Sequence, residues 1–236
     1  MAQNFETWLE SLGLVTKACL GLIIGLAAVS TFGIISPYYL VLTDRALYSF
    51  ELWRFVTSAF FLGGFSFPWL MSVFMFYTFL KYNEETNFKD KAADFVWAFA
   101  FIILSHGLLG LYFGQFTTGF SVAMSLCWMF CKRNPEMRLS LYSFQFRAPT
   151  FPWALMVLNM IISQRIFDDI LGILVGHLYV YLHDVVPSLY QVNVLQTPSF
   201  VKNFVDGKIL QKKKPSDSTL RPAGGWGAGR RLGGPN

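Results

Sequence analysis

Charge is what this sequence has least of: Asp, Glu, Lys and Arg make up 14% of it, where a water-soluble domain carries about a quarter. With 54% hydrophobic and 18% aromatic residues and a positive mean hydropathy, the shortage excludes an ordinary soluble domain and points to an integral membrane protein. No nucleic-acid partner is expected. Cysteine is also scarce. Cys19, Cys127 and Cys131 match no metal-ligand spacing and give no disulfide framework, so neither a metal nor a cofactor is expected. Cys127 and Cys131 share a helix face as small buried hydrophobes, with lipidation of Cys131 as the alternative. Histidine occurs three times, at 106, 177 and 183. The first apolar run is preceded by Glu6 and Glu10 where a cleavable signal would be basic, so that run is expected to stay.

Long apolar runs are abundant. Six spans are predicted, near residues 14–35, 66–80, 95–113, 118–131, 150–164 and 169–186. Six crossings put both termini on one side, and sixteen of the nineteen Lys and Arg residues then fall on that side, which predicts cytosolic termini. The fifth and sixth spans are short between their polar ends, about 20 Å of helix against a hydrocarbon core of about 30 Å. Such a mismatch thins the bilayer or borders a polar groove. The connection "SPYYLVLTDRALYSFELWRFVTSAFFLGGFSFPW" carries too little charge for an ordinary loop and is rich in aromatics, so it is expected to lie partly embedded on the lumenal side. Residues 1–190 read as one membrane domain and 191–236 as a cytosolic tail, whose Gly, Pro and Lys content predicts disorder.

Two glycines four apart in the sixth span, Gly172 and Gly176, fall on one face and allow close backbone approach to another span. Asp169 lies three residues earlier on that stripe, next to Asp168; both suit the start of a helix or a hydrated groove that contacts substrate. Trp53 reads as an interfacial anchor, and Arg54, with five donors, as a group able to satisfy loop carbonyls. Ser105, His106, Ser125, Asn159 and Ser163 read as polar partners between helices. In the tail, "GGWGAGRRLGG" sets Trp226 and Leu232 among Gly227, Gly229 and Gly233, with Arg230 and Arg231 for acidic partners. That suits a short peptide pairing with a sheet edge.

Taken together, the six spans, the first loop with "ELWRFVTSAF", the glutamates of "YNEET" and the "GILVG" of the sixth span resemble the rhomboid superfamily. "KRNPEMRLSLYSFQF" followed by "FPW", then "LGILVGHLY" and "TPSF", resemble the derlins within it. The likeness covers nearly the whole chain. It implies a rhomboid-like all-α bundle of six transmembrane helices with an interfacial first loop and a disordered C-terminal tail.

Rhomboid proteases use the serine of a Gly-x-Ser-Gly in the fourth span and a histidine three residues before the first glycine of the sixth-span pair. This chain has Gly119-Phe120-Ser121-Val122 and Asp169 there. A serine needs a base within reach, and aspartate is a weak one. His177 lies about 80° round the helix and over 10 Å along it from that position; the remaining candidate dyad is Ser121 with His106. A catalytically dead pseudoprotease is therefore expected. The resemblance further implies a role in endoplasmic-reticulum-associated degradation: moving misfolded clients through a locally thinned membrane beside a ubiquitin ligase complex. It assigns Trp53-Arg54 to holding the first loop, and the tail, as an SHP box, to recruiting the valosin-containing AAA ATPase. An active intramembrane serine protease, or a scaffold for the ATPase without a conduit role, is the alternative. Whether the chain forms homo- or hetero-oligomers is left open.

Overall fold

The computed structural model describes residues 7, 8, 10–141, 144–163, 166–191 and 195–205. Within them lie six apolar helices at the six predicted places: α1 (Leu14–Thr31), α3 (Phe67–Tyr82), α4 (Ala92–Phe113), α5 (Gly119–Arg133), α6 (Phe151–Ser163) and α7 (Ile166–Val180), while α2 (Trp53–Phe60) lies in the first connection. Apolar runs of this length are helical because lipid offers a backbone amide no partner outside its own segment. Starts and stops follow local chemistry. The Ser66 hydroxyl accepts from the Trp69 amide at 3.3 Å with Pro68 in the first turn of α3, and Gly114 ends α4 at φ +70°, a left-handed position that costs glycine little.

By length and composition, three helical runs suffice to cross a bilayer: Leu14–Thr31, Ala92–Phe113 and Ile166–Tyr190. The last runs a little beyond the expected end near residue 186: α7 continues through a π-helical turn, Tyr181–Val185, into Val186–Tyr190. The cause is electrostatic: Arg133 at the end of α5 donates to both oxygens of Asp184, at 2.8 and 2.7 Å, so that carboxylate is matched inside the helix instead of ending it. The fifth run stays short, α6 having 13 residues.

α5 is the centre. Every residue from Ser121 to Cys131 is buried, and α7, α3, α4, α6 and α2 all pack on it. Burial of Cys127 and Cys131 removes Cys131 as an accessible lipid acceptor. Since lipid tails are as apolar as the core, contact between helices rests on close van der Waals packing and polar bonds. Here edge-on aromatic pairs such as Phe60–Phe99 at 5.7 Å and Phe79–Phe151 at 5.8 Å fill the space.

The chain is not wholly α. Arg138–Leu141 (β1) pairs antiparallel with Phe144–Arg147 (β2) between α5 and α6, Arg138 opposite Arg147 and Leu139 opposite Phe146. The period-two pattern R-L-S-L and F-Q-F-R accounts for it. Residues 195–205 return to the bundle, where the Thr197 hydroxyl donates to Asp94 at 2.6 Å. Trp226, Gly227, Gly229, Arg231, Leu232 and Gly233 lie outside the described residues.

Candidate functional site

Asp169, in the first turn of α7, is 2% exposed. The Asn159 side-chain amide of α6 lies 3.1 and 3.0 Å from its two carboxylate oxygens, so a polar pair joins the short helix to α7. Neighbouring Asp168 accepts from the Gln115 amide in the α4–α5 connection. Both carboxylates sit where the N-terminal end of the helix dipole favours negative charge.

One turn further, α7 meets α5 backbone to backbone. A Cβ added at Gly172 would lie 2.6 Å from the Ser121 carbonyl oxygen and 2.6 Å from Met124 Cβ; one at Gly176 would lie 2.9 Å from the Ser125 carbonyl oxygen. The approach permits a bond of a kind seldom made between helices: the Ser125 hydroxyl donates to the Gly172 carbonyl at 2.7 Å.

His106 of α4 reaches that same hydroxyl, Nε2 to Oγ 2.7 Å. The dyad weighed from sequence, Ser121 with His106, is thus replaced by Ser125 with His106. The direction of its protons decides what it can do. A serine has one proton, and that of Ser125 is committed to Gly172, so Nε2 must carry the hydrogen and donate it. The ring's basic lone pair then resides on Nδ1, which is buried without a partner among the described residues, pointing away from the serine. Histidine and serine are both 0% exposed. A histidine that donates to a buried serine, which in turn donates to a carbonyl, braces α4, α5 and α7. The Ser121 hydroxyl is likewise buried, with no hydrogen-bond partner among the described residues.

The first connection is held by Arg54. Its side chain is 0% exposed; Nε donates to Glu51, and Nη1 donates to the carbonyls of Tyr38 and Val41 at 2.7 and 2.8 Å. The Thr57 hydroxyl adds a bond to the Leu40 carbonyl at 2.9 Å. Three backbone carbonyls of the first connection, those of Tyr38, Leu40 and Val41, thereby receive from α2 the partners that water would otherwise supply. Trp53, next door, is 55% exposed and faces outward with Tyr38, Tyr39, Phe50 and Leu52, an arrangement suited to the membrane interface.

Sequence reasoning singled out the glutamates of "YNEET" but gave Glu84 no structural role. Its carboxylate caps α1, accepting from the amides of Val15 at 3.0 Å and Thr16 at 2.9 Å and from the Thr16 hydroxyl at 2.6 Å. Gly13 leaves the room, since a Cβ there would overlap the carboxylate. An acidic residue following a span, with glycine at the start of another, was the available signal. Glu84→Ala is expected to orphan three donors and lower stability by about 1–3 kcal/mol, read as a fall in thermal unfolding midpoint in detergent, with Glu84→Gln intermediate; an unchanged midpoint would show that solvent replaces the cap.

Apolar helices around a buried short core helix, braced by polar bonds between their backbones, define a polytopic helical membrane protein. Within that class the chain belongs to the Der1-like family, whose model matches residues 12–199. It is similar to derlin-2 of Oryza sativa subsp. japonica, 29% identical over 247 aligned positions that cover 99% of this chain and 96% of that one. A probable derlin-2 homolog of Dictyostelium discoideum is 29% identical, with 88% and 85% covered. Derlin-1 of Arabidopsis thaliana is 31% identical, with 93% and 83% covered.

Proposed function

We propose that the chain is a non-hydrolytic derlin of the endoplasmic reticulum membrane, crossing it six times with both termini cytosolic, that helps misfolded proteins leave for the cytosol. The observation that carries the reading is α6. Its 13 residues extend about 20 Å, too short for an undeformed hydrocarbon core of about 30 Å, and the half-buried Asn159–Asp169 pair joins it to α7. A bilayer drawn thin at α6 presents less hydrocarbon to a passing chain, each of whose unpaired backbone groups costs several kcal/mol in lipid. Of the two aspartates, buried Asp169 is taken up by Asn159, and the half-buried Asp168 offers such a chain an acceptor at the lumenal end. No peptide bond is broken in this reading: Asp169 stands at the base position and is engaged by Asn159, and His106 donates to its serine.

Force comes from outside the bundle. Trp226 and Leu232, separated by Gly227, Gly229 and basic Arg231 and followed by Gly233, form the segment that holds the valosin-containing AAA ATPase, close to a membrane ubiquitin ligase complex. The outward-facing Trp53 anchors the first connection, and the buried Arg54 shapes it.

One experiment in cells without their own derlins tests both ends. Full-length Trp226→Ala is expected to lose co-purification of the ATPase and, with it, clearance of a misfolded lumenal client. Trp53→Ala, at a side chain that is 55% exposed, is expected to keep the ATPase and still slow clearance several-fold. Normal clearance by Trp53→Ala would reduce the protein to a receptor for the ATPase, and undiminished ATPase recovery with Trp226→Ala would remove the partner.

A further inference from the structure

The β1–β2 hairpin carries a cationic pair that the function above leaves without a role. Along both strands the residues alternate: Leu139 is buried, and Leu141 and Phe146 pack on the core, whereas Arg138, Ser140, Gln145 and Arg147 are exposed. Arg138 stands directly opposite Arg147. Like charges in facing positions repel, and among the described residues neither arginine has an ion pair, Glu136 in the preceding turn included. No carboxylate among the described residues neutralises them, which leaves the pair open to an anion.

The position of the pair says which. Arg138 and Arg147 are at the base of the hairpin, close to where α5 ends and α6 begins. Trp153, in the first turn of α6 and 48% exposed, packs edge-on against Trp128 at 5.7 Å, over which lies the Lys132 ammonium at 4.8 Å. A tryptophan and lysine ring of this kind marks the membrane–water boundary. Met137, 42% exposed, precedes Arg138, and Phe144, 71% exposed, stands opposite Leu141 at the turn end of the hairpin, in the inward register with Leu139 and Phe146 yet uncovered by the bundle. Guanidinium groups on long stems beside exposed apolar side chains at that height suit phospholipid headgroups better than a water-borne acidic protein.

We propose that Arg138 and Arg147 clasp the phosphate of an anionic phospholipid headgroup between them, each guanidinium donating to it through its planar fork. The clasp holds lipid at the head of α6, the helix on which the thinning reading rests, and it takes from that reading only the placement of this end at a leaflet surface.

The test uses the full chain with Lys212, Lys213 and Lys214 changed to Gln, so that the tail does not compete. The protein is placed in nanodiscs of phosphatidylcholine alone or doped with phosphatidylserine, and retained lipids are counted by native mass spectrometry. Arg138→Gln with Arg147→Gln is expected to lower the ratio of retained phosphatidylserine to phosphatidylcholine roughly tenfold, while Arg138→Lys with Arg147→Lys keeps most of it. Thermal unfolding in pure phosphatidylcholine checks the fold, and the two single Gln variants replace the pair if it fails there. An unchanged ratio in the Gln variants overturns the proposal, as does capture of an acidic polyglutamate peptide that depends on the two arginines while the lipid ratio does not. Both nanodisc faces carry the same lipid, so failure here leaves the orientation and export reading untouched.

Discussion

Replacing Arg54 with methionine is expected to cost about 3–5 kcal/mol of stability, the usual penalty for removing one partner of a buried charged network. The methionine fills much of the volume, so the loss is polar. It leaves the Glu51 carboxylate without its cation and the Tyr38 and Val41 carbonyls without donors, in a segment at membrane level where water is scarce. Arg54→Lys keeps the charge and is expected to fall between, because an ammonium cannot reproduce the fork that serves Glu51 and two carbonyls at once. Two readouts check this: the thermal unfolding midpoint in detergent, and protease cutting within 36–50 in reconstituted protein, which should rise with methionine. A midpoint within error of the unsubstituted chain would mean that the first connection is held by something other than this arginine.

Gly172→Leu is expected to be comparably damaging, at about 3 kcal/mol, from overpacking plus a lost buried hydrogen bond. The obstacle is backbone: the Ser121 carbonyl oxygen lies 2.6 Å from where the Cβ would stand, and no rotamer avoids it. α5 and α7 must separate, which breaks the Ser125–Gly172 bond and unseats His106 from Ser125. Gly25 of α1 supplies the control, since a Cβ there meets nothing within 4 Å; Gly25→Leu should leave the unfolding midpoint unchanged or raise it slightly. Equal effects at the two glycines would show that helix propensity, not helix contact, governs both.

Both cases show what the sequence could and could not carry. Apolar runs between polar stretches place the helices, because a backbone in lipid has so few solutions, and two glycines four apart announce a close contact. Which helix answers them is a tertiary fact: nothing in "TTGFSVAMSLCWMF" says that it is buried on every side, since it reads like any other span. The same limit hides the proton chain at Ser125. The resemblance to a Gly-x-Ser motif singles out Ser121, but the register between α4 and α5, fixed by packing, brings His106 to Ser125, one helical turn on. Arg54 is legible as a donor with too little water around it; its carbonyl partners, 13 and 16 residues earlier, emerge only when the connection folds back. The sixth run is expected as far as residue 186, past His183 and Asp184; that Arg133 neutralises Asp184 there is again visible only in the fold. The hairpin was legible in principle as period-two alternation, but it sits among apolar spans that draw the eye to period 3.6.

The central claim is that a client passes this protein without being cut. The direct measurement is the mass of a misfolded lumenal client, tagged at both ends, after it reaches the cytosol with the proteasome inhibited. The account predicts a single species of full length, unchanged in amount by Ser121→Ala. A matched pair of fragments that disappears with Ser121→Ala or Ser125→Ala would contradict it.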